Sequence, residues 1–178
     1  MYFRKIALMA CGGALALTGL FAEAAVSPLE VKIELRVLDF IAEPADRSAV
    51  AVLYDRDRGG SAEEAAAILR SLQDSADPAR AKIVPRLVEI HALAGQRDLK
   101  AVILTAGLDG AQEGAMVLKY GVAHRTLVLS AGTDCVKERR CMVGVTTVPD
   151  VEIGVNSSAI KEGQIRFADG FQLMVKEY

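Results

Sequence analysis

The chain has no tryptophan, and five phenylalanines and four tyrosines are its whole aromatic complement in 178 residues. Sugar-binding faces rest on aromatic platforms, so carbohydrate recognition has little to build on. Neither charge sign dominates: 21 Lys and Arg stand against 23 Asp and Glu, a formal net charge of −2. Without a basic footprint, nucleic acid is not an expected partner, nor is an anionic membrane surface held by charge. The phosphate-binding patterns G-x-x-x-x-G-K-[ST] and G-x-G-x-x-G are absent, and so is the nucleophile elbow G-x-S-x-G. Only two histidines occur, His91 and His124. Neither has a His, Cys or carboxylate at motif spacing, so both read as structural and no metal or cofactor site is expected. No Ser or Cys has an identifiable His partner, so the chain does not read as an enzyme.

The first residues read as an export signal. Arg4 and Lys5 precede an uncharged stretch from Ile6 to Phe21, followed by Ala22-Glu23-Ala24. This is the order of a secretory signal peptide over 1–24 with an A-x-A cleavage site. The run is short for a membrane span, which takes about 20 residues. A lipobox-like stretch ending at Cys11 offers the rival reading of a lipid anchor, but it lies too close to Lys5 for an ordinary apolar region. Cleavage leaves 25–178, the size of one domain. Losing Arg4, Lys5 and Glu23 moves the formal charge from −2 to −3. It also removes Cys11 and leaves Cys135 and Cys141. In an oxidising compartment such a pair is expected to form a disulfide. C-x5-C fits neither a zinc spacing nor a C-x-x-C redox pair.

Along the exported part, 31–37 alternates with period 2, yet Ser27-Pro28-Leu29-Glu30 supplies a capping box with proline at the first helical position. The flanks favour a helix over 28–41. Apolar runs at 49–54, 87–91, 101–105 and 126–130 read as strands. Between them, Ser61-Ala62-Glu63-Glu64 is expected to cap one helix, and Asp109-Gly110 to start another that ends at Tyr120 before Gly121. Strands at 142–146 and 151–155 flank a Pro-Asp turn and read as a hairpin. Asn156 is expected to cap a short helix, and Phe167, Phe171 and Met174 give the tail a helical spacing. The expected fold is α/β: a single Rossmann-like domain with a mainly parallel sheet, a C-terminal hairpin and helices on both faces.

Three segments offer candidate contacts. Gly59-Gly60-Ser61 joins a strand to a helix N-terminus, where backbone N–H groups can hold an anion, although glycines there also simply turn the chain. Asp55 and Asp57 alternate with Arg56 and Arg58; they miss the EF-hand register and read as a solvated loop. Within the cysteine loop, Lys137, Arg139 and Arg140 form either a partner contact or a plain soluble tip.

The last third resembles a known family. Thr126-Leu127-Val128-Leu129-Ser130, then Cys141-Met142-Val143-Gly144-Val145, then Val151-Glu152-Ile153-Gly154-Val155-Asn156, with Ala159 beyond, are similar to the closing strands and helix of the YfiR family (DUF4154-type domains). The opening helix from Val31 to Ile41 is similar to that family's Val-Lys helix. The resemblance implies a periplasmic regulator acting by protein contact, on an inner-membrane sensor or the periplasmic part of a diguanylate cyclase, with a homodimer as a further expectation. Cyclic-di-GMP output and biofilm growth would be what it controls. The parallel α/β pattern alone supports a different expectation, a small-molecule binding component resembling one lobe of an ABC-transport binding protein, with its cleft near the 55–60 and 105–110 loops.

Overall fold

The structure, a computed structural model, describes residues 26–178; the expected signal segment and Cys11 lie outside the described residues. Helix α1 (Pro28–Asp39) begins where its capping pattern places it. Ser27 Oγ accepts the Glu30 N–H at 3.1 Å, and the Glu30 carboxylate accepts the Ser27 N–H at 2.7 Å. Two helix-end donors are thereby satisfied reciprocally. Val31, Leu35 and Leu38 share one buried face. That shared face, together with the cap, outweighs the period-2 alternation of the same residues.

The chain then forms β1 (Ile41–Glu43), β2 (Ala49–Tyr54), α2 (Ser61–Gln73), β3 (Val84–Glu89), β4 (Leu99–Leu104), α3 (Ala111–His124) and β5 (Leu127–Ala131). It continues through α4 (Asp134–Lys137), β6 (Val143–Thr146), β7 (Glu152–Val155), α5 (Ser157–Glu162), β8 (Arg166–Phe167) and β9 (Lys176–Glu177). One sheet has the order β3-β2-β4-β5-β6-β7-β9, and β1 pairs with β8 in a separate antiparallel ribbon. β3, β2, β4, β5 and β6 are mutually parallel. Taken in chain order, these five lie 2-1-3-4-5, the arrangement of one common doubly wound sheet. The turn from β6 to β7 is the expected hairpin.

Right-handed crossovers place α2 and α3 on opposite faces, because β2 to β3 and β4 to β5 step in opposite directions across the sheet. α1 packs beside α2 and reaches β6, while α5 packs beside α3. Both faces are thus covered, as parallel strands require. Val50 to Leu53, Ala101 to Leu104 and Leu127 to Leu129 are fully enclosed. Each such Val, Leu or Ile contributes about 1.5–3 kcal/mol by leaving water. Arg36 pairs with the enclosed Asp77, and Lys82 with Asp39, which tie α1 to the segment leading into β3.

Three sequence expectations shift. The second parallel strand starts at Val84 and ends before His91, with Pro85 inside it. β3 is the edge strand, where a missing N–H is tolerated. α3 runs through Gly121 to His124 and is closed by Arg125 at φ 53°. Gly121 allows a close approach to β5: a Cβ there would lie 2.5 Å from Val128 Cγ2 and 2.8 Å from the Thr126 oxygen. The tail is β8, a 3-10 turn and β9, not a helix. Gly170 at φ 90° turns the chain there, and Phe167 and Phe171 stack across that turn with ring centroids 4.0 Å apart.

One core residue is out of character. Glu34 lies on the buried face of α1, fully enclosed, and neither carboxyl oxygen has a hydrogen-bond partner among the described residues. Burial first, then the charges of Glu30 and Glu64, push its pKa up to about 8. The folded protein therefore holds a neutral carboxylic acid in its core at neutral pH. An unfolded glutamate loses its proton near pH 4.5, while the folded one keeps it to about pH 8. Over that window the native state binds the extra proton. Stability from this group is complete below about pH 4.5 and falls by about 1.4 kcal/mol per pH unit towards pH 8. Urea unfolding followed against pH is expected to show this decline in the wild type. Glu34→Gln is expected to flatten it, and Glu34→Leu to be more stable than wild type at pH 8.

Candidate functional site

In an open parallel sheet the strand order reverses at one place, and the loops on either side part there at the carboxyl ends of the strands. Here the reversal lies between β2 and β4, so the 55–60 and 105–110 loops stand on either side of the point where such sheets leave a crevice. Side chains on these loops hold the two walls together. Ser61 Oγ accepts the Asp55 N–H at 3.0 Å and shares a 3.0 Å hydrogen bond with Thr105 Oγ1. Glu64 accepts the Ala106 N–H at 3.0 Å and the Val26 N–H at 3.3 Å. Arg58 reaches Glu113 at 3.5 Å across the loops. Ser130, at the end of β5, donates to Asp109 at 3.3 Å.

The expected capping box of Ser61 and Glu64 does not form. Gly60 is the N-cap of α2, and the two side chains are drawn off by Asp55, Thr105, Val26 and Ala106. This bears on the Gly59-Gly60-Ser61 turn as an anion site. The Ser61 hydroxyl is already committed, and the first turn carries Glu63 and Glu64. Only backbone N–H groups remain to an anion there, against two carboxylates. Of the acidic side chains here, Glu113 pairs with Arg58, while Glu64 accepts from Ala106 and Asp109 from Ser130.

A second polar group gathers at the outer side of the 55–60 loop, where Asp55, Asp57 and His91 come together from two strand ends. His124 instead lies against Tyr120, with ring centroids 4.5 Å apart.

At the far end of the sheet, Cys135 and Cys141 are bonded, with Cα atoms 5.4 Å apart and both side chains fully buried. The bridge closes the loop that follows α4. Lys137 pairs with Asp134 at 3.1 Å and Arg140 with Glu138 at 2.7 Å, while Arg139 is exposed at φ 58°. Beside this loop the turn from β6 to β7 projects Val148 and Val151, which are 78% and 58% exposed. The two together wall a shallow cleft of about 490 Å³ that includes Asp134, Lys137, Val148 and Glu152. The sequence marked the charged loop but not its apolar neighbour, because the hairpin tip meets α4 only in the folded chain.

No protein-family model matches the chain, and no curated protein matches it. Among solved structures, it is similar to one described as the ABC domain in complex with L-Trp from Streptococcus pneumonia, with 8% identity and a TM-score of 0.61. The match covers 83% of this chain and 60% of that one, so this chain spans less than two thirds of that protein's length. At that identity the likeness shows the fold alone. Among the described residues no helix is long and apolar enough to cross a membrane.

For a loop this short, the disulfide contributes about 2 kcal/mol by the chain-entropy account. Cys135→Ser is expected to lower the urea midpoint accordingly and to expose one titratable thiol under denaturing conditions. Thiol labelling of the unfolded, unreduced wild type should find none from this pair; two labelled cysteines would contradict the bridge.

Proposed function

We propose that the chain is an exported binding domain that performs no covalent chemistry and takes a small molecule in the crevice between the 55–60 and 105–110 loops. The observation that carries this reading is the 2-1-3-4-5 order with its reversal between β2 and β4, since sheets of this kind receive ligands at that point. The similarity in fold to an ABC domain holding L-Trp supports it. The carboxylates of Asp109 and Glu113 beside these loops suit a ligand with an ammonium group, such as an amino acid or amine. Ligand binding to the native state raises stability by about 2.7 kcal/mol at a hundredfold excess over Kd. A thermal-shift screen of amino acids, amines and other metabolites is expected to find a stabilising ligand. Asp109→Asn and Glu113→Gln should weaken that ligand without changing the free protein's far-UV spectrum. A screen in which no ammonium-bearing compound raises the melting temperature would remove this reading.

A second reading rests on the cleft between α4 and the β6–β7 turn. There the disulfide holds a charged loop beside two exposed valines, a combination that suits contact with another protein. The chain would then regulate a membrane signalling protein of the diguanylate cyclase kind, as its resemblance to the YfiR family implies. Deleting the gene should raise cyclic-di-GMP, and a copy carrying Val148→Asp with Val151→Asp should fail to restore it. Unchanged cyclic-di-GMP on deletion, with no membrane sensor recovered with the wild-type protein, would dismiss it.

A further inference from the structure

We infer that Asp55, Asp57 and His91 form a binding site for a divalent transition-metal cation of the zinc class. Each offers one ligand atom, and the three atoms lie within 4.8 Å of one another. Small rotations of these largely exposed side chains bring the three atoms to the separations of roughly 3.4 Å that bonds of about 2.0–2.2 Å to one cation require. The fold explains how residues 36 positions apart meet. β2 and β3 are parallel neighbours in a register that pairs Tyr54 with Glu89, the last residue of each strand. Asp55 therefore leaves one strand, and His91 the adjacent strand, at the same level of the sheet.

The local backbone is held from both sides. Asp55 accepts the Asp57 N–H at 2.9 Å, which folds the loop so that Asp57 returns beside it. Glu89 accepts the His91 N–H at 2.9 Å and starts the 3-10 turn that carries the imidazole.

A separate observation points to a cation. Two carboxylates this close repel one another unless a positive charge lies between them. Among the described residues neither Asp55 nor Asp57 forms an ion pair. Arg58, on the same loop, is turned across to Glu113. The pair is thus open to an incoming cation, with an imidazole beside it.

The donor set decides the kind of ion. One imidazole with two carboxylates suits zinc and its neighbours, whereas calcium and magnesium prefer oxygen alone. Asp57 and His91 are exposed and Asp55 is half-buried. Three protein ligands and an open side leave at least one position for water or an incoming donor. The site faces β3, on the opposite side of β2 from the crevice next to β4, so it does not depend on the ligand reading above.

The test uses the untagged, chelator-treated protein titrated with zinc chloride against a chromophoric competitor. One equivalent is expected to bind, and magnesium in millimolar excess is expected not to displace it. His91→Ala and Asp57→Asn should each weaken binding at least tenfold, the loss typical even of outer partners in such sites, while His124→Gln leaves it unchanged. In the unsubstituted protein, the ring-proton resonances of His91 should shift on adding zinc and those of His124 should not. No stoichiometric binding, unchanged affinity in His91→Ala, or an unmoved His91 resonance would overturn the assignment.

Discussion

Parallel strands buried on both faces cannot stand alone, and most of this structure follows from covering them. β2, β4 and β5 are runs of Val, Ala, Leu and Ile with no solvent side, so each face needs a helical layer. α2 and α3 are the crossovers that the strands themselves demand, one per face. They do not suffice for a sheet of seven strands. α1 extends the cover on the α2 side as far as β6, and α5 completes the α3 side. This explains two local fits: the reciprocal cap that starts α1 on its course, and the absence of a side chain at Gly121, where α3 lies against β5.

The same layering sorts charge by position. Inside the layer a carboxyl group has no water and no partner, so Glu34 keeps its proton and burial decides its state. At the carboxyl ends of the strands the chain turns out into solvent, and polar groups can gather there without that cost. Asp55, Asp57, Glu64, Asp109 and Glu113 all lie at this edge or in the first turns beyond it. Their hydrogen bonds to Asp57, Ala106 and Ser130 give this edge a defined shape. Crevice and metal cluster are two products of one arrangement, on either side of β2.

The other end of the sheet is organised differently. There the parallel run gives way to a hairpin, and a covalent bond braces the short crossover from β5 to β6 that precedes it. The buried cysteines close the link between β5 and β6 and present α4 next to the hairpin tip. Exposed valines and a tethered charged loop meet there in one place, at the carboxyl ends of β5 and β6.

The sequence alone established the layer architecture. Apolar runs separated by capped, amphipathic segments carry the strand and helix order, because burial and capping are local demands that each segment meets by itself. Ser27 with Glu30, Asn156 as a cap, the hairpin and the cysteine pair were legible for the same reason. The tail was not, since its helical spacing of Phe167 and Phe171 serves a stack across a turn. Nor were the ties of Ser61 and Glu64, which leave their local cap for partners more than 40 residues away in Thr105 and Ala106. His91 shows the division most clearly. By spacing it has no ligand neighbour, and only the register of β2 with β3 sets it beside Asp55 and Asp57. Local chemistry determined which elements form; pairing between distant strands decided which side chains meet.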